Sequence, residues 1–145
     1  MLSRRVFVVA ASAGALVPSG AGAKPDEVAG LVQAITGGVP PKRGRVKLDV
    51  PELVENGNAV GMTVSLGDDV PAGAVLTDFH VFADGNPRPG VAHFRFGPLA
   101  GVPKVGTRIR LATSQTVTAV AVFADGSCWQ DTVSVLVTLS ACLDD

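Results

Sequence analysis

The stretch TVTAVAVFADGSCWQDTVSVLVTL, residues 116–139, decides the fold class of this chain. It contains two valine-rich runs, residues 116–124 and 129–139, separated by Asp125 and Gly126. β-branched and aromatic residues favour strands, and an Asp-Gly pair supports a turn with positive φ. The stretch therefore predicts two strands joined by a tight hairpin.

Five further strand-like runs lie upstream of this hairpin, at residues 46–50, 59–66, 75–83, 91–96 and 107–112. The run at 75–83 is rich in β-branched and aromatic residues, and the other four alternate with period two. Clusters of glycine, proline, asparagine and aspartate separate them. About seven short strands spaced by such turns are typical of a sandwich. The sequence therefore predicts an all-β, immunoglobulin-like β-sandwich.

One short helix is predicted before the strands, at residues 26–36. Asp26 can act as its N-cap, and Gly37 and Gly38 end it. Its apolar residues fall on one stripe at helical spacing: Val28, Leu31, Val32 and Ile35. A basic turn, residues 42–45, connects this helix to the first predicted strand.

The amino terminus has the features of an export signal. Arg4 and Arg5 precede Phe7, a short apolar run follows, and Ala21-Gly22-Ala23 forms a cleavage pattern. The arginine pair indicates the twin-arginine route, with an ordinary Sec signal as the alternative. We therefore expect cleavage after Ala23. The expected organisation is a signal peptide at 1–23, helix and basic turn at 24–45, sandwich at 46–139 and a cysteine arm at 140–145.

Composition and motifs argue against several functional classes. Hydrophobic residues make up 47% and charged residues 17% of the chain, and no basic patch is present, which argues against nucleic-acid binding. There is no nucleophile motif of the G-x-S-x-G type and no glycine-rich phosphate loop. These motifs therefore indicate no enzyme class, although inspection leaves a Ser-His-Asp site open, and we expect no cofactor.

The two histidines, His80 and His93, fall in separate strand patterns without the spacing typical of zinc ligands. We expect each to be a strand residue and predict no metal site. One alternative remains open, namely a small copper-binding sandwich in which both histidines converge with Met62 and a cysteine.

The chain has two cysteines, Cys128 and Cys142. In an oxidising compartment a pair of cysteines suggests a disulfide. Along roughly extended chain, at about 3.3 Å per residue, these two lie far beyond bridging distance unless the tail folds back. We therefore expect Cys128 to be a semi-buried structural cysteine. Cys142 lies near the end of the sequence, where an accessible thiol could take a group at one protein and release it at another.

Several separated segments follow one another in a recognisable order. They are Ile35-Thr36-Gly37-Gly38, the stretch VKLDVPELVENGNAV at residues 46–60, His80-Val81-Phe82-Ala83 with Asn86-Pro87, and residues 107–117. On these segments the chain resembles the SoxY family of sulfur-oxidation carrier proteins, and the likeness covers nearly all of the sequence after residue 23.

The resemblance implies a periplasmic protein with an immunoglobulin-like fold that pairs with a second sandwich protein, SoxZ. It implies that Cys142 holds sulfur intermediates of thiosulfate oxidation on a swinging carboxyl-terminal arm. Such a carrier performs no turnover alone. The alternative is a secreted β-sandwich with a binding or structural role and no carrier function.

The arm departs from the family's usual Gly-Gly-Cys-Gly-Gly ending. It is similar to a related subgroup that ends in Ala-Ala-Cys-Ile-Glu, whose substrate need not be thiosulfate. Ala141 and Leu143 restrict the backbone more than glycines would, so a stiffer arm is expected. Asp144 and Asp145 place negative charge beside the sulfur, which is expected to raise the pKa of the Cys142 thiol. The thiol would then depend on cationic partner sites for its activation.

Overall fold

The computed structural model describes residues 25–141. Within that range it contains one helix, α1 (Pro25–Thr36), which starts one residue before the predicted helix. Asp26 and Glu27 lie in its first turn, where carboxylates interact favourably with the helix dipole. Gly37 (φ 67°) and Gly38 (φ 91°) end it in the left-handed region, as predicted.

Nine strands follow in the described part of the chain. In sequence order they are β1 (Lys42–Arg43), β2 (Val46–Asp49), β3 (Leu53–Val54), β4 (Val60–Leu66), β5 (Leu76–Ala83), β6 (Gly90–Arg95), β7 (Lys104–Ile109), β8 (Gln115–Phe123) and β9 (Cys128–Val137). The larger sheet has the order β1-β9-β8-β5-β6, and β3 also pairs with β9. The smaller sheet has the order β2-β4-β7. The predicted all-β sandwich with a short helix is therefore confirmed.

The hydrophobic core lies between the two sheets, because apolar residues alternate with polar ones along the strands. The small sheet contributes residues such as Met62 and Val64, and the large sheet contributes Phe79, Val81 and Val117. Phe79, Val64, Val81 and Val117 are fully inaccessible to solvent. The opposite face of the large sheet is partly covered by α1, whose Val32 packs on Phe82 and Val120.

The hairpin predicted at Asp125 and Gly126 is present. β8 and β9 pair antiparallel from Val122–Cys128 to Gln115–Val135, and Gly126 has φ 84°. The amide of Phe123 donates a hydrogen bond to the carbonyl of Ser127, which closes the turn. Glycine adopts this left-handed conformation without a Cβ penalty, so the local sequence accounts for the turn.

The structure differs from the predicted elements at β7, at two additional short strands and at the end of β9, which stops at Val137 rather than at residue 139. The strand expected at residues 107–112 ends at Ile109, because Leu111 and Ala112 bond to Gly57 and to the Asn86 side chain instead of to a strand. Two strands were not predicted, and each pairs parallel to β9 over two residues: Lys42–Arg43 and Leu53–Val54. Two-residue segments carry too little alternation to be recognised from sequence.

Among residues 25–141, no helix has the length and apolar character that a membrane span requires.

Candidate functional site

The segment that follows β9 is held against the end of β3 and against two loops by backbone hydrogen bonds. Thr138 donates to the carbonyl of Val54 (3.0 Å), and the carbonyl of Leu139 accepts from Gly57 (2.8 Å). Ala141 donates to the carbonyl of Leu111 (3.1 Å) and is buried. Backbone hydrogen bonds therefore hold the chain in place as far as Ala141, the residue directly before Cys142.

Gly57 is the point at which these segments meet. Its carbonyl accepts a hydrogen bond from Leu111 (2.9 Å), while its own amide bonds to Leu139. A Cβ at this position would lie 2.3 Å from the Leu111 carbonyl oxygen and 3.0 Å from the Ala141 nitrogen. Because real Cβ atoms do not approach backbone this closely, only glycine fits without a shift of the loops. Gly57 thus determines where the carboxyl-terminal segment packs. We call the contacts among Gly57, Leu111 and Ala141 the Gly57 seat.

The Leu111 side of this seat is held by a buried amide. Asn86, only 3% exposed, donates through Nδ2 to the carbonyl of Arg110 (2.8 Å). Its Oδ1 accepts from the Ala112 amide (2.9 Å) and from Nε2 of Gln115 (3.0 Å). Because these hydrogen bonds of the buried Asn86 side chain are all made, they stabilise one conformation of the loop. Asn86, part of the resemblance to SoxY, therefore supports the region that anchors Ala141.

The base of the carboxyl-terminal segment also has exposed apolar side chains. Leu53 and Leu136 are register partners in the β3–β9 pair and are 61% and 57% exposed. Leu139, 61% exposed, follows on the same segment. We call Leu53, Leu136 and Leu139 the leucine surface. Clustered apolar side chains at the surface of a protein mark sites of association with other proteins.

Of the predicted arm residues, the structure describes Ser140, which is exposed, and Ala141, which is anchored. An arm that moves from Ser140 onward must first break the hydrogen bond between Ala141 and Leu111. Cys142, Leu143, Asp144 and Asp145 lie outside the described residues, as does the predicted signal peptide.

Cys128 lies at the opposite end of β9 from the carboxyl-terminal segment. The strand runs from Cys128 to Val137, a distance of about 30 Å at about 3.3 Å per residue. The Cys128 side chain is partly buried against the helix-covered face of the sheet. Burial and the nearby negative charge of Asp125 raise the pKa of its thiol. Cys128 therefore stays protonated at neutral pH and is a poor nucleophile.

The structure brings two residues of one strand, Asp78 and His80, together with His93 of the neighbouring strand. His80 on β5 and His93 on β6 are register partners, and their rings stack with centroids 4.0 Å apart. Nε2 of His93 donates to Oδ1 of Asp78 at 2.8 Å. Together these three are the only group of potential metal ligands in residues 25–141 whose donor atoms lie within 4.8 Å of one another.

The copper site considered from the sequence, in which both histidines converge with Met62 and a cysteine, does not form among the described residues. Met62 is on the other sheet and is buried between the sheets, whereas His80 alternates with the core residues Phe79 and Val81 and so lies on the outer face. The signal that sequence reasoning missed is the spacing of Asp78 and His80, two residues apart on one face of a strand. Their approach to His93 required the register of the β5–β6 pair.

Comparison with solved structures finds the same fold in superoxide reductases (neelaredoxins). The enzyme from Ignicoccus hospitalis is 18% identical, with a TM-score of 0.55 over 81% of this chain and 95% of that chain. A variant from Archaeoglobus fulgidus in the reduced form is 14% identical, with a TM-score of 0.50 over 65% of this chain and 89% of that chain. At this level of identity the likeness shows the fold alone.

A search among curated proteins gives no match. The family model for the sulfur oxidation protein SoxY, in contrast, matches residues 32–142. That range includes α1 from Val32 onward, both sheets, the Gly57 seat and Cys142 itself. Since the match spans most of the chain and the observed sandwich agrees with it, the protein belongs to the SoxY family.

Proposed function

We propose that this protein is a periplasmic carrier that holds a sulfur-containing intermediate covalently on Cys142 and presents it to partner enzymes. The observation that carries the proposal is the SoxY family match, which extends through Cys142. The anchored segment that ends at Ala141 supports it, because it leads the chain directly to that cysteine.

The contact between Ala141 and Leu111 suits a carrier, because it is weak enough to break when a partner protein takes up the segment. Detaching Ala141 breaks one backbone hydrogen bond, which contributes about 1 kcal/mol net. The buried side chain is a single methyl group, so its exposure adds about 1 kcal/mol. An equilibrium of this size allows the segment to be seated in the free protein and extended in a partner's active site.

The chemistry expected at Cys142 is sulfur–sulfur bond formation. The thiolate is the reactive form of cysteine. Joining its sulfur to the sulfur of a thiol-level cargo forms one S–S bond, releases the thiol protons and removes two electrons. Loading therefore requires a partner oxidoreductase that accepts two electrons, consistent with a carrier that performs no turnover alone.

The acidic residues Asp144 and Asp145 favour loading by a partner with a cationic site. Their negative charge opposes both the thiolate and an anionic cargo. Lysine or arginine side chains of the partner would neutralise this charge when the arm enters. Because the arm lacks the glycines of the usual SoxY ending, we propose a sulfur-containing cargo without restricting it to a thiosulfate derivative.

A SoxZ-like sandwich is the proposed stable partner. The leucine surface supports this, since the β3–β9 register places the exposed leucines Leu53 and Leu136 side by side, where a second sandwich could cover them. The twin-arginine pattern at Arg4 and Arg5 supports export to the periplasm.

The test is mass spectrometry of protein purified from its native periplasm without reductant. The last tryptic peptide begins at Leu111 and contains both cysteines, so cleavage before Asp131 is needed to separate them. We expect a reductant-sensitive adduct on the peptide with Cys142, absent in Cys142→Ser and retained in the matched control Cys128→Ser. An unmodified Cys142 in protein from cells actively oxidising sulfur compounds, or a Cys128–Cys142 bridge, would overturn the proposal.

A further inference from the structure

A cluster of metal-ligating side chains lies on the outer face of the large sheet, where the proposed carrier function does not use it. Asp78 and His80 alternate on β5, and His93 on the edge strand β6 faces His80. His80 and Asp78 are partly buried, and His93 is exposed. The cluster is thus open to solvent on one side and backed by the sheet on the other.

We propose that Asp78, His80 and His93 form a binding site for a divalent transition-metal ion of the zinc and copper class. Two imidazole nitrogens and one carboxylate oxygen are a donor set that such ions prefer. Calcium and magnesium prefer oxygen donors, so the two histidines select against them. Three protein ligands leave at least one coordination position for water or an exogenous ligand.

The geometry needs little adjustment to accept the ion. The three donor atoms lie within 4.8 Å of one another. In tetrahedral coordination with bonds of about 2.0 Å, donor atoms are about 3.3 Å apart, so small side-chain rotations suffice. On binding, the ion replaces the hydrogen bond between Nε2 of His93 and Asp78, and the single imidazole proton moves from Nε2 to Nδ1 by exchange with solvent.

Packing holds the His80 ring in place within the cluster. The ring stacks on Phe82, with centroids 6.4 Å apart and planes 7° apart, and Phe82 is itself packed beneath Val32 of α1. A ligand that is already held by its neighbours needs little reordering when the ion binds.

One residue opposes the ion. Nε of Arg95 lies 3.4 Å from the same Asp78 oxygen that His93 contacts. Its guanidinium competes for the carboxylate and repels a dication. Because the Arg95 side chain is 80% exposed, it can turn into solvent when the metal binds. We therefore expect that removal of the Arg95 side chain strengthens metal binding.

The test is titration of the full mature chain with Zn²⁺, using Cys128→Ser/Cys142→Ser protein so that thiolates cannot bind the ion. We expect one ion per chain, weakened about tenfold or more by His80→Gln or His93→Gln, since each removes one of three ligands. Asp78→Asn should weaken binding, and Arg95→Gln should tighten it. Asp68→Asn, an exposed carboxylate in another loop, is the control that should change nothing.

A second measurement uses the unmodified protein and does not depend on the cysteine substitutions. The chain has only two histidines, and both belong to the cluster, so an untagged protein gives two assignable sets of imidazole NMR signals. Zn²⁺ should shift both sets together at one equivalent. Absence of these shifts at millimolar Zn²⁺, or affinity that survives both histidine substitutions, would overturn the site.

Discussion

The amide of Ala141 donates a hydrogen bond to the carbonyl of Leu111 (3.1 Å), and this contact joins the carboxyl-terminal segment to the loop after β7. Leu111 is fully buried and its amide donates to the carbonyl of Gly57, whose own amide donates to the carbonyl of Leu139. The residue before the proposed attachment site is therefore placed by a compact backbone junction rather than by its own side chain.

Gly57→Ala should weaken this junction. The added Cβ would press on the Leu111 carbonyl and the Ala141 amide, so we expect a loss of about 1–3 kcal/mol in the free energy of unfolding. Hydrogen exchange at the Ala141 amide should also become faster than in the wild type. The control is Gly61→Ala, where the added Cβ meets no atom within 4 Å. Equal exchange rates at Ala141 in the wild type and Gly57→Ala would contradict the role of Gly57.

Asn86→Ala should be among the more destabilising polar substitutions in the protein. It leaves the Arg110 carbonyl, the Ala112 amide and Gln115 without their partner, at a total cost of about 3 kcal/mol. Urea denaturation followed by the fluorescence of the single tryptophan, Trp129, measures the change. Asn58→Ala is the control, because its side-chain bond to Asn56 is exposed and should contribute less than about 0.5 kcal/mol.

The Cys128 thiol should ionise at a higher pH than a cysteine in a peptide. Burial is the main cause of the raised pKa and Asp125 adds to it, so Asp125→Asn should lower the pKa only in part. The rate of iodoacetamide alkylation against pH in Cys142→Ser protein measures this. Because the folded-state pKa is the higher one, Cys128 should destabilise the fold only above its unfolded pKa of about 8.5. A midpoint at or below that value would contradict the assigned environment.

Replacing Asp144 and Asp145 by asparagine should lower the pKa of Cys142, because two negative charges near the thiolate are removed. Alkylation against pH in Cys128→Ser protein measures the midpoint with Cys142 as the reacting thiol. The control is Asp68→Asn, which removes one carboxylate from an exposed loop between β4 and β5. Superimposable alkylation curves for the wild-type and asparagine arms would show that the acidic residues do not tune this thiol.

Local sequence was enough to predict the strands with strong alternation and the turn between β8 and β9. In β4, the buried residues Val60, Met62 and Val64 alternate with more exposed neighbours, so the period alone predicts a strand. Gly126 marks the hairpin because few other residues adopt its positive φ. The helix, its glycine stop and its apolar stripe follow from rules of the same local kind.

The candidate site was predicted only in part. Cys142 was singled out by its position and by the resemblance to the SoxY family. The anchor of Ala141 was not predicted, because it depends on Gly57 and Leu111, residues 84 and 30 positions away in the sequence. The buried role of Asn86 also escaped prediction, since a turn asparagine and a buried one look alike in sequence.

Sequence by itself determined the β class, the hairpin and the cysteine on which the proposed function rests, because alternation, turn residues and a thiol are properties of neighbouring residues. Tertiary structure alone decided that Ala141 is seated beside Gly57 and that His80, His93 and Asp78 share one face. Those arrangements depend on strand register and sheet packing, which bring distant residues together and are not encoded in any short segment.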